Sequence, residues 1–254
     1  EALSPDIVIG MKYLYSNMPY SDVGNYTFDT YLDYVQQGIY LWENSPYVKN
    51  YPELYFLNYV LFHRTNDEEI KPCRTYFWEK IKDKVQGKTM VEAALEINHW
   101  CAGEVMYQGT DMRTGSALEI YRSGVGRCGE EAVFVVNVMR SAGIPARPVY
   151  VPRWSHCDDN HAWVEVWCDG DWHYLGACEP EAVLDKGWFT NAASRAMMIG
   201  SRWYDRAMPD EKVIGKDGMN RIINLLGKYA KTRWITITVE DLDGTPAAGA
   251  KVRA

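Results

Sequence analysis

Gly126-Arg127-Cys128-Gly129-Glu130-Glu131 opens an apolar run, 132–139, that reads as a buried helix. The cysteine between two glycines thereby falls at a helix N-terminus, where unpaired backbone N–H groups and the positive end of the helix dipole favour thiolate over thiol. Ser141-Ala142-Gly143-Ile144-Pro145 stops that helix, since glycine suits a left-handed C-cap and a proline just beyond cannot continue it. Residues 147–152, 161–168 and 172–178 then read as antiparallel strands, the last two joined at Asp169-Gly170, a two-residue hairpin signal. A cysteine-bearing helix packed on an antiparallel sheet makes the centre of the chain α+β.

Upstream, Ser4-Pro5 supplies an N-cap followed by proline at the first helical position, and Ile7, Val8, Met11, Leu14, Tyr15 and Met18 keep helical spacing. Further helical patterns cover 27–42, 67–85 and 89–105, separated by turn-rich Ser45-Pro46, Tyr51-Pro52 and Gly87-Lys88. Downstream of Glu179 the chain is irregular and regains a pattern only from Asn220; 219–229 fits a helix or a strand equally well. Residues 234–239 read as a strand, and 241–252 as a turn and the start of a second strand. Two strands cannot close a sandwich, so a β module is expected to be cut off there. The expected organisation is a helical N-terminal region (1–95), a core (96–215), and a linker with the first strands of a β-sandwich module (216–254).

With 254 residues, 47% hydrophobic and 24% charged, the chain can bury a substantial core. A net charge of -7 leaves no general attraction to phosphate backbones or anionic membranes, so nucleic acid is not an expected partner. The longest apolar runs are too short to cross a bilayer. The start Glu1-Ala2-Leu3, without Met or signal sequence, suggests a processed or truncated chain that has lost its address, a lipid anchor included. The six cysteines, at 73, 101, 128, 157, 168 and 178, form no CxxC pair. The densest ligand cluster, His156-Cys157-Asp158-Asp159-Asn160-His161, lacks metal-ligand spacing, so neither metal nor cofactor is expected.

That same stretch runs on through Ala162-Trp163-Val164-Glu165-Val166, placing His161 at the head of an alternating strand. Taken singly, Cys128 reads as a small buried hydrophobe and His161 as a core residue; their joint occurrence suggests a nucleophile and its base. If Cys168 pairs with Asp171, then Glu165 faces Tyr174, Trp163 faces Gly176 and His161 faces Cys178, so Cys168 and Cys178 cannot bridge across the hairpin. An imidazole in this role needs an orienting group. Glu165 shares its face but lies roughly 13 Å away. Glu179 has the right chemistry and the wrong parity, and serves only if a bulge near Gly176 re-aims the chain. Asp159 is the alternative orienter; a backbone carbonyl or water is the remaining one. The Cys128 N–H is the natural first oxyanion donor. Trp154, Trp163 and Arg113 are candidate cleft residues, although indoles on a sheet face usually belong to a core. Arg147, Arg153 and His156 read as rim.

Gly126-Arg127-Cys128-Gly129-Glu130, Arg140-Ser141-Ala142-Gly143-Ile144-Pro145-Ala146-Arg147, His161-Ala162-Trp163-Val164-Glu165-Val166-Trp167 and Asp169-Gly170-Asp171-Trp172 together resemble the transglutaminase-like core. That superfamily includes transglutaminases, bacterial and archaeal cysteine proteases and peptide N-glycanases on a papain-like α+β scaffold. The resemblance covers 97–179. It implies Cys128 as nucleophile and His161 as the base that later protonates the leaving amine. The family's aspartate falls fifteen residues after the histidine, and that position here is Gly176.

The implied activity is acyl transfer on amide bonds by a cysteine hydrolase, with a peptide or glycopeptide as substrate. Hydrolysis is favoured over cross-linking, because no motif announces an amine site. A catalytically impaired module that binds peptide or glycan at a cell surface is the alternative, and a structural spacer a third. The helical N-terminal part, with Asp158-Asp159-Asn160-His161 and Gly176-Ala177-Cys178-Glu179-Pro180-Glu181, is similar to a group of secreted Bacteroidetes proteins. The C-terminal strands resemble carboxypeptidase-regulatory-like modules. A secreted, periplasmic or cell-surface location is implied by these resemblances alone.

Overall fold

The computed structural model describes residues 3–252 except 112, 208, 219 and 234, with residue 217 described in its backbone only. Met219 and Trp234, which open two of the segments read above, lie outside the described residues. Ten α-helices are described: α1 Pro5–Asn17, α2 Tyr20–Asn25, α3 Phe28–Asn44, α4 Glu53–Phe56, α5 Arg74–Val85, α6 Met90–Glu104, α7 Ala117–Ser123, α8 Cys128–Ser141, α9 Thr190–Ala193 and α10 Leu226–Tyr229. A short parallel pair, β1 Met106–Tyr107 and β2 Val125–Gly126, leads into α8. The main sheet is built from β3 Ala146–Val151, β4 His161–Cys168, β5 Asp171–Leu175, β6 Gly200–Trp203, β7 Val213–Asp217 and β8 Asn220–Asn224. Its order is β5-β4-β3-β6-β8-β7, with every neighbouring pair antiparallel. The mixed architecture is the expected α+β.

Local chemistry sets the helix starts. Ser4 caps α1 through the Ile7 N–H, and reciprocal capping boxes, Thr89 with Glu92 and Ser116 with Glu119, open α6 and α7. The helix expected over 67–85 begins only at Arg74. Pro72 disfavours helical backbone at the residue before it, and the Glu68 carboxylate ties the Thr65 and Asn66 N–H groups into a turn. A distant group then acts as the cap: Asp33 of α3 accepts from the N–H groups of Cys73, Arg74 and Thr75.

Helix α8 is buried from Glu130 to Ser141 and lies against β3 and β4, with α5, α6 and α7 on its other sides. Both sheet faces are covered there, so β4 alternates between two cores rather than between core and water. Ala162, Val164, Val166 and Cys168 join the helical core, while Trp163 joins Val149, Val151, Trp172, Phe189, Trp203 and Ile223 in a second one. The hairpin register is the one inferred from Asp169-Gly170: Cys168 pairs with Asp171 and Glu165 with Tyr174. Both turn residues have positive φ, 53° and 93°, as a tight hairpin of this twist requires. The ladder ends at Val164–Leu175, so the further pairs Trp163–Gly176 and His161–Cys178 do not form.

The irregular stretch after Glu179 contains order that the sequence pattern did not reveal. β6 and β7 lie within it, and β8 followed by α10 resolves the helix-or-strand ambiguity as one of each. The boundary expected at 215/216 falls inside β7. Residues 235–239 form no strand, in contrast to the expectation. Ile235 is 80% exposed, Val239 O accepts from Ala247 N, and next to it a bridge pairs Glu240 with Pro246 around the Asp241–Gly244 turn.

Candidate active site

Cys128 is the first residue of α8, after Arg127 in extended backbone as N-cap. The Glu130 carboxylate fixes this corner by accepting from Arg127 N, Gly115 N and Thr110 Oγ1. The backbone N–H groups of Gly129 and of Ala162, the residue next to His161, point at the Cys128 sulfur. Burial nevertheless outweighs these donors and pushes the thiol above its ordinary range. The donors of the helix terminus and of β4 thus act on the sulfur as expected, but burial of the half-buried thiol is the larger effect.

His161 opens β4 and is 5% exposed. Its ring is enclosed by Trp188, Phe189, Trp163 and Trp154, with centroids 4.7, 5.1, 5.9 and 6.2 Å away. This aromatic enclosure lowers its pKa to about 4, with Asp159 opposing weakly. Thiol and imidazole are thus both neutral at rest.

Glu179 reaches His161 through a turn. After β5 the chain folds back with Cys178 in the left-handed region (φ 57°), and Glu179 N donates to Gly176 O at 3.2 Å. That reversal overturns the strand parity and carries Glu179 Oε2 to 4.0 Å from His161 Nε2. Both atoms are buried without a hydrogen-bond partner among the described residues. Asn98 of α6 clamps the turn from beneath: its Nδ2 donates to Gly176 O at 2.9 Å, and its Oδ1 accepts from Cys178 N at 3.1 Å. Trp188 Nε1 donates to Glu179 Oε1 at 2.9 Å, while burial raises the Glu179 pKa and this bond partly offsets the rise.

The other singled-out residues lie elsewhere. Asp159 is exposed and its carboxylate accepts from the adjacent Asn160 N–H. Trp154 and Trp163 are buried and stacked, with planes 2° apart, and back the imidazole; Trp154 also lines a pocket. Arg113 is exposed, paired with Asp111, and lines a separate pocket of about 860 Å³ with Asp67 and Glu130. Arg153 is a rim residue, paired with Asp158. Arg147 is not: it is fully buried, bonded to Glu165 and Glu211, with its guanidinium 4.0 Å above the Trp172 ring. Glu165 serves that ion pair and accepts from Tyr229 Oη. A pocket of about 560 Å³ beside Trp154 is lined by the 152–158 loop, Met197 and Met198.

Two site neighbours, Asn98 and Glu131, went unread, and Trp188 reads from the sequence only as one of several indoles expected in a core or along a cleft. Trp188 sits in a stretch without periodicity, so no pattern marks it. Asn98 does carry a signal, a polar residue on the buried stripe of α6 beside Ile97 and Cys101. Glu131, one position into the apolar run of α8, is 4% exposed, and burial with the nearby Glu179 charge raises its pKa to about 8. All six cysteines are free, and no group of three or more His, Cys, Asp or Glu residues among those described is placed to hold a metal ion.

No curated protein matches the chain. Among solved structures, it is similar to a candidate cysteine protease from Cytophaga hutchinsonii, at 16% identity over 59% of this chain and 57% of that one, TM-score 0.35. Legionella pneumophila LapG is similar at 17% identity, over 44% of this chain and 66% of that one, TM-score 0.36. A candidate protease from Parabacteroides distasonis is similar at 14% identity, over 68% and 29%, TM-score 0.39. The chain spans less than two thirds of the length of each of these three. Residues 79–177 match the model of the transglutaminase-like superfamily, a span that includes Cys128, His161 and Gly176 and stops just short of Glu179. Over those residues the chain carries a transglutaminase-like core, within a mixed fold of helices and one antiparallel sheet.

Proposed function

We propose that the protein is a cysteine hydrolase acting on an amide bond of a peptide or glycopeptide, with Cys128 as nucleophile, His161 as base and Glu179 as the group that orients His161. The observation that carries this is the turn at Gly176, which delivers a carboxylate to the unpartnered Nε2 of His161 where the family places an aspartate. Because Nε2 is turned to Glu179, Nδ1 is the nitrogen left to take the thiol proton. Proton transfer accompanies attack of Sγ on the carbonyl carbon, and the Cys128 N–H supports the oxyanion. His161 then returns the proton to the leaving amine, and water resolves the thioester. A secreted, periplasmic or surface location accords with this role; among the described residues no helix is long and apolar enough to cross a membrane.

The neutral resting pair favours a second reading, a binding module for peptide or glycan that has lost turnover. One experiment separates the two: product profiling on a peptide and glycopeptide library with wild type and Cys128→Ala. Cleavage by wild type that vanishes in the variant is expected. Cleavage that survives Cys128→Ala removes the nucleophile assignment, and retention of ligands without cleavage establishes the binding module.

A further inference from the structure

His161, Trp163 and Glu165 stand at alternate positions of β4 and so share one face of the strand, running from the site into the second core. Glu165 is too far along the strand to touch the imidazole, yet hydrogen bonds tie it to the ring beside His161. Trp163 Nε1 donates to Tyr229 Oη at 2.9 Å, and Tyr229 Oη donates to Glu165 Oε1 at 2.6 Å. The other oxygen of Glu165 accepts from Arg147 Nε at 2.7 Å. Chemistry fixes the direction of each bond. An indole N–H only donates and a carboxylate paired with arginine only accepts, so the phenol accepts from one and donates to the other.

Trp163 is fully buried, with its ring 5.9 Å from the imidazole. It is stacked on Phe189 at 4.7 Å and lies parallel to Trp154 at 6.4 Å. Stacked faces slide past one another at small cost, whereas a hydrogen bond is directional. The bond to Tyr229 therefore fixes how far the indole reaches toward His161. The Tyr229 ring adds an edge-on contact with Trp163 at 5.3 Å and is itself backed by Tyr174 at 5.3 Å. It comes from α10, well beyond residues 79–177 of the transglutaminase-like core. We propose that Tyr229 is a positioning residue that acts through Trp163, holding the indole against His161 and keeping the imidazole enclosed. This rests on the proposed role of His161 as base. Glu165, which cannot orient the ring directly, contributes by holding Tyr229.

The test is proton NMR titration of His161, assigned by its loss in His161→Ala, in wild type, Tyr229→Phe, Trp163→Phe and the double variant. A loosened indole admits water, and the midpoint climbs from about 4 toward the ordinary histidine value. A rise of about one unit is expected in Tyr229→Phe. The groups that face the ring are Glu179 from the turn after β5, Cys128 from α8 and Asp159 from the adjoining loop, with His156 behind Trp154; the substitution alters none of them. Trp163→Phe keeps an aromatic ring there and has no N–H to hold, so adding Tyr229→Phe to it should move the midpoint no further. Equal midpoints in wild type and Tyr229→Phe, or the same rise in both backgrounds, overturn the proposal. Should Tyr229→Phe fail to fold, hydrogen exchange of the Trp163 indole N–H in wild type reads the same bond. Protection like that of the β4 backbone amides is expected, and exchange at the rate of an exposed indole overturns the proposal. None of these readouts requires turnover. Cleavage that survives Cys128→Ala would sink the proposed function and leave the hold on Trp163 standing, whereas an unmoved His161 midpoint would sink this inference and leave the nucleophile standing.

Discussion

The Glu179 carboxylate fills the space that a side chain on residue 176 would need. A β-carbon at 176 would overlap Glu179 Oε2 and lie 2.8 Å from Glu179 Cβ. The absent side chain at 176 thus admits the Glu179 carboxylate from the turn that follows β5. Gly176→Ala is expected to evict Glu179 and to reduce kcat on a cleaved substrate, at an overpacking cost of about 1–3 kcal/mol. Glu179→Ala should lose comparable activity, and adding Gly176→Asp to it should restore part by placing a carboxylate from the other side of the same space. Undiminished turnover in both single variants would mean that neither residue serves His161.

The resting charge state is testable by reactivity. Burial raises the Cys128 thiol, so thiolate forms only above the ordinary cysteine range of about 8.5; His161, lowered to about 4, becomes imidazolium only in strong acid. The two ionised forms therefore do not overlap in the free protein. Iodoacetamide alkylation of wild type should climb through the alkaline range with no plateau at acidic pH. His161→Ala should leave the midpoint nearly in place, since a neutral ring lends little charge. A rate plateau between about pH 5 and pH 8 would show a thiolate–imidazolium pair instead.

Trp188 covers the imidazole and donates to Glu179, yet is 65% exposed. Trp188→Phe keeps an aromatic ring over His161 and deletes only the N–H. A hydrogen bond to a charged acceptor is worth about 1.5–3 kcal/mol, and exposure at this rim reduces it to about 1 kcal/mol. The expected result is a fall in kcat of roughly fivefold in Trp188→Phe, with Trp188→Ala also raising KM because the platform is gone. Equal kinetics for wild type and Trp188→Phe would show that the bond does not hold Glu179.

Arg147 and Glu165 face each other across β3 and β4, 2.7 Å apart and essentially unexposed. Removing the arginine strands a buried carboxylate, which costs about 3–5 kcal/mol. Arg147→Met should lower the unfolding free energy from urea titration by that amount. Pairing it with Glu165→Leu should recover part of the loss, since only the more exposed Glu211 is then left without its arginine. A loss of unfolding free energy under about 1 kcal/mol in Arg147→Met would show that the pair is solvated.

What the sequence revealed and what it hid divide along physical lines. The Cys128 helix, the Ser141–Pro145 stop and the Asp169-Gly170 hairpin are local: each depends on periodicity or on a conformation few residues adopt, and each stands as read. The late start of α5 was hidden because its cap, Asp33, is remote in sequence. β6 and β7 were hidden because they are short and gain their partners only in the assembled sheet. At the site, Glu179 was within reach of a parity argument because Gly176 permits a reversal. The neutral Cys128 and His161 were not, since desolvation is set by Trp154, Trp163, Trp188 and Phe189 assembling from separate segments. For 235–239, apolar alternation that forms no strand was read as one.

Asn98 joins the helical layer to the catalytic turn, and its two bonds give separable expectations. Asn98→Ala leaves Cys178 N without its acceptor and Gly176 O with the Glu179 N–H alone, a cost of about 1–3 kcal/mol seen in denaturant unfolding. Asn98→Asp keeps the acceptor for Cys178 N, loses the donor to Gly176 O, and adds a buried carboxylate under the turn that carries Glu179. It should therefore be the less stable of the two at neutral pH and recover as pH falls and the new acid protonates. Asn98 is 1% exposed and lies under the turn, so a substrate does not touch it. Its loss should lower kcat through misplacement of Glu179 while KM stays near the wild-type value. A variant that unfolds more easily but keeps full kcat would show that the turn holds Glu179 in place without its clamp.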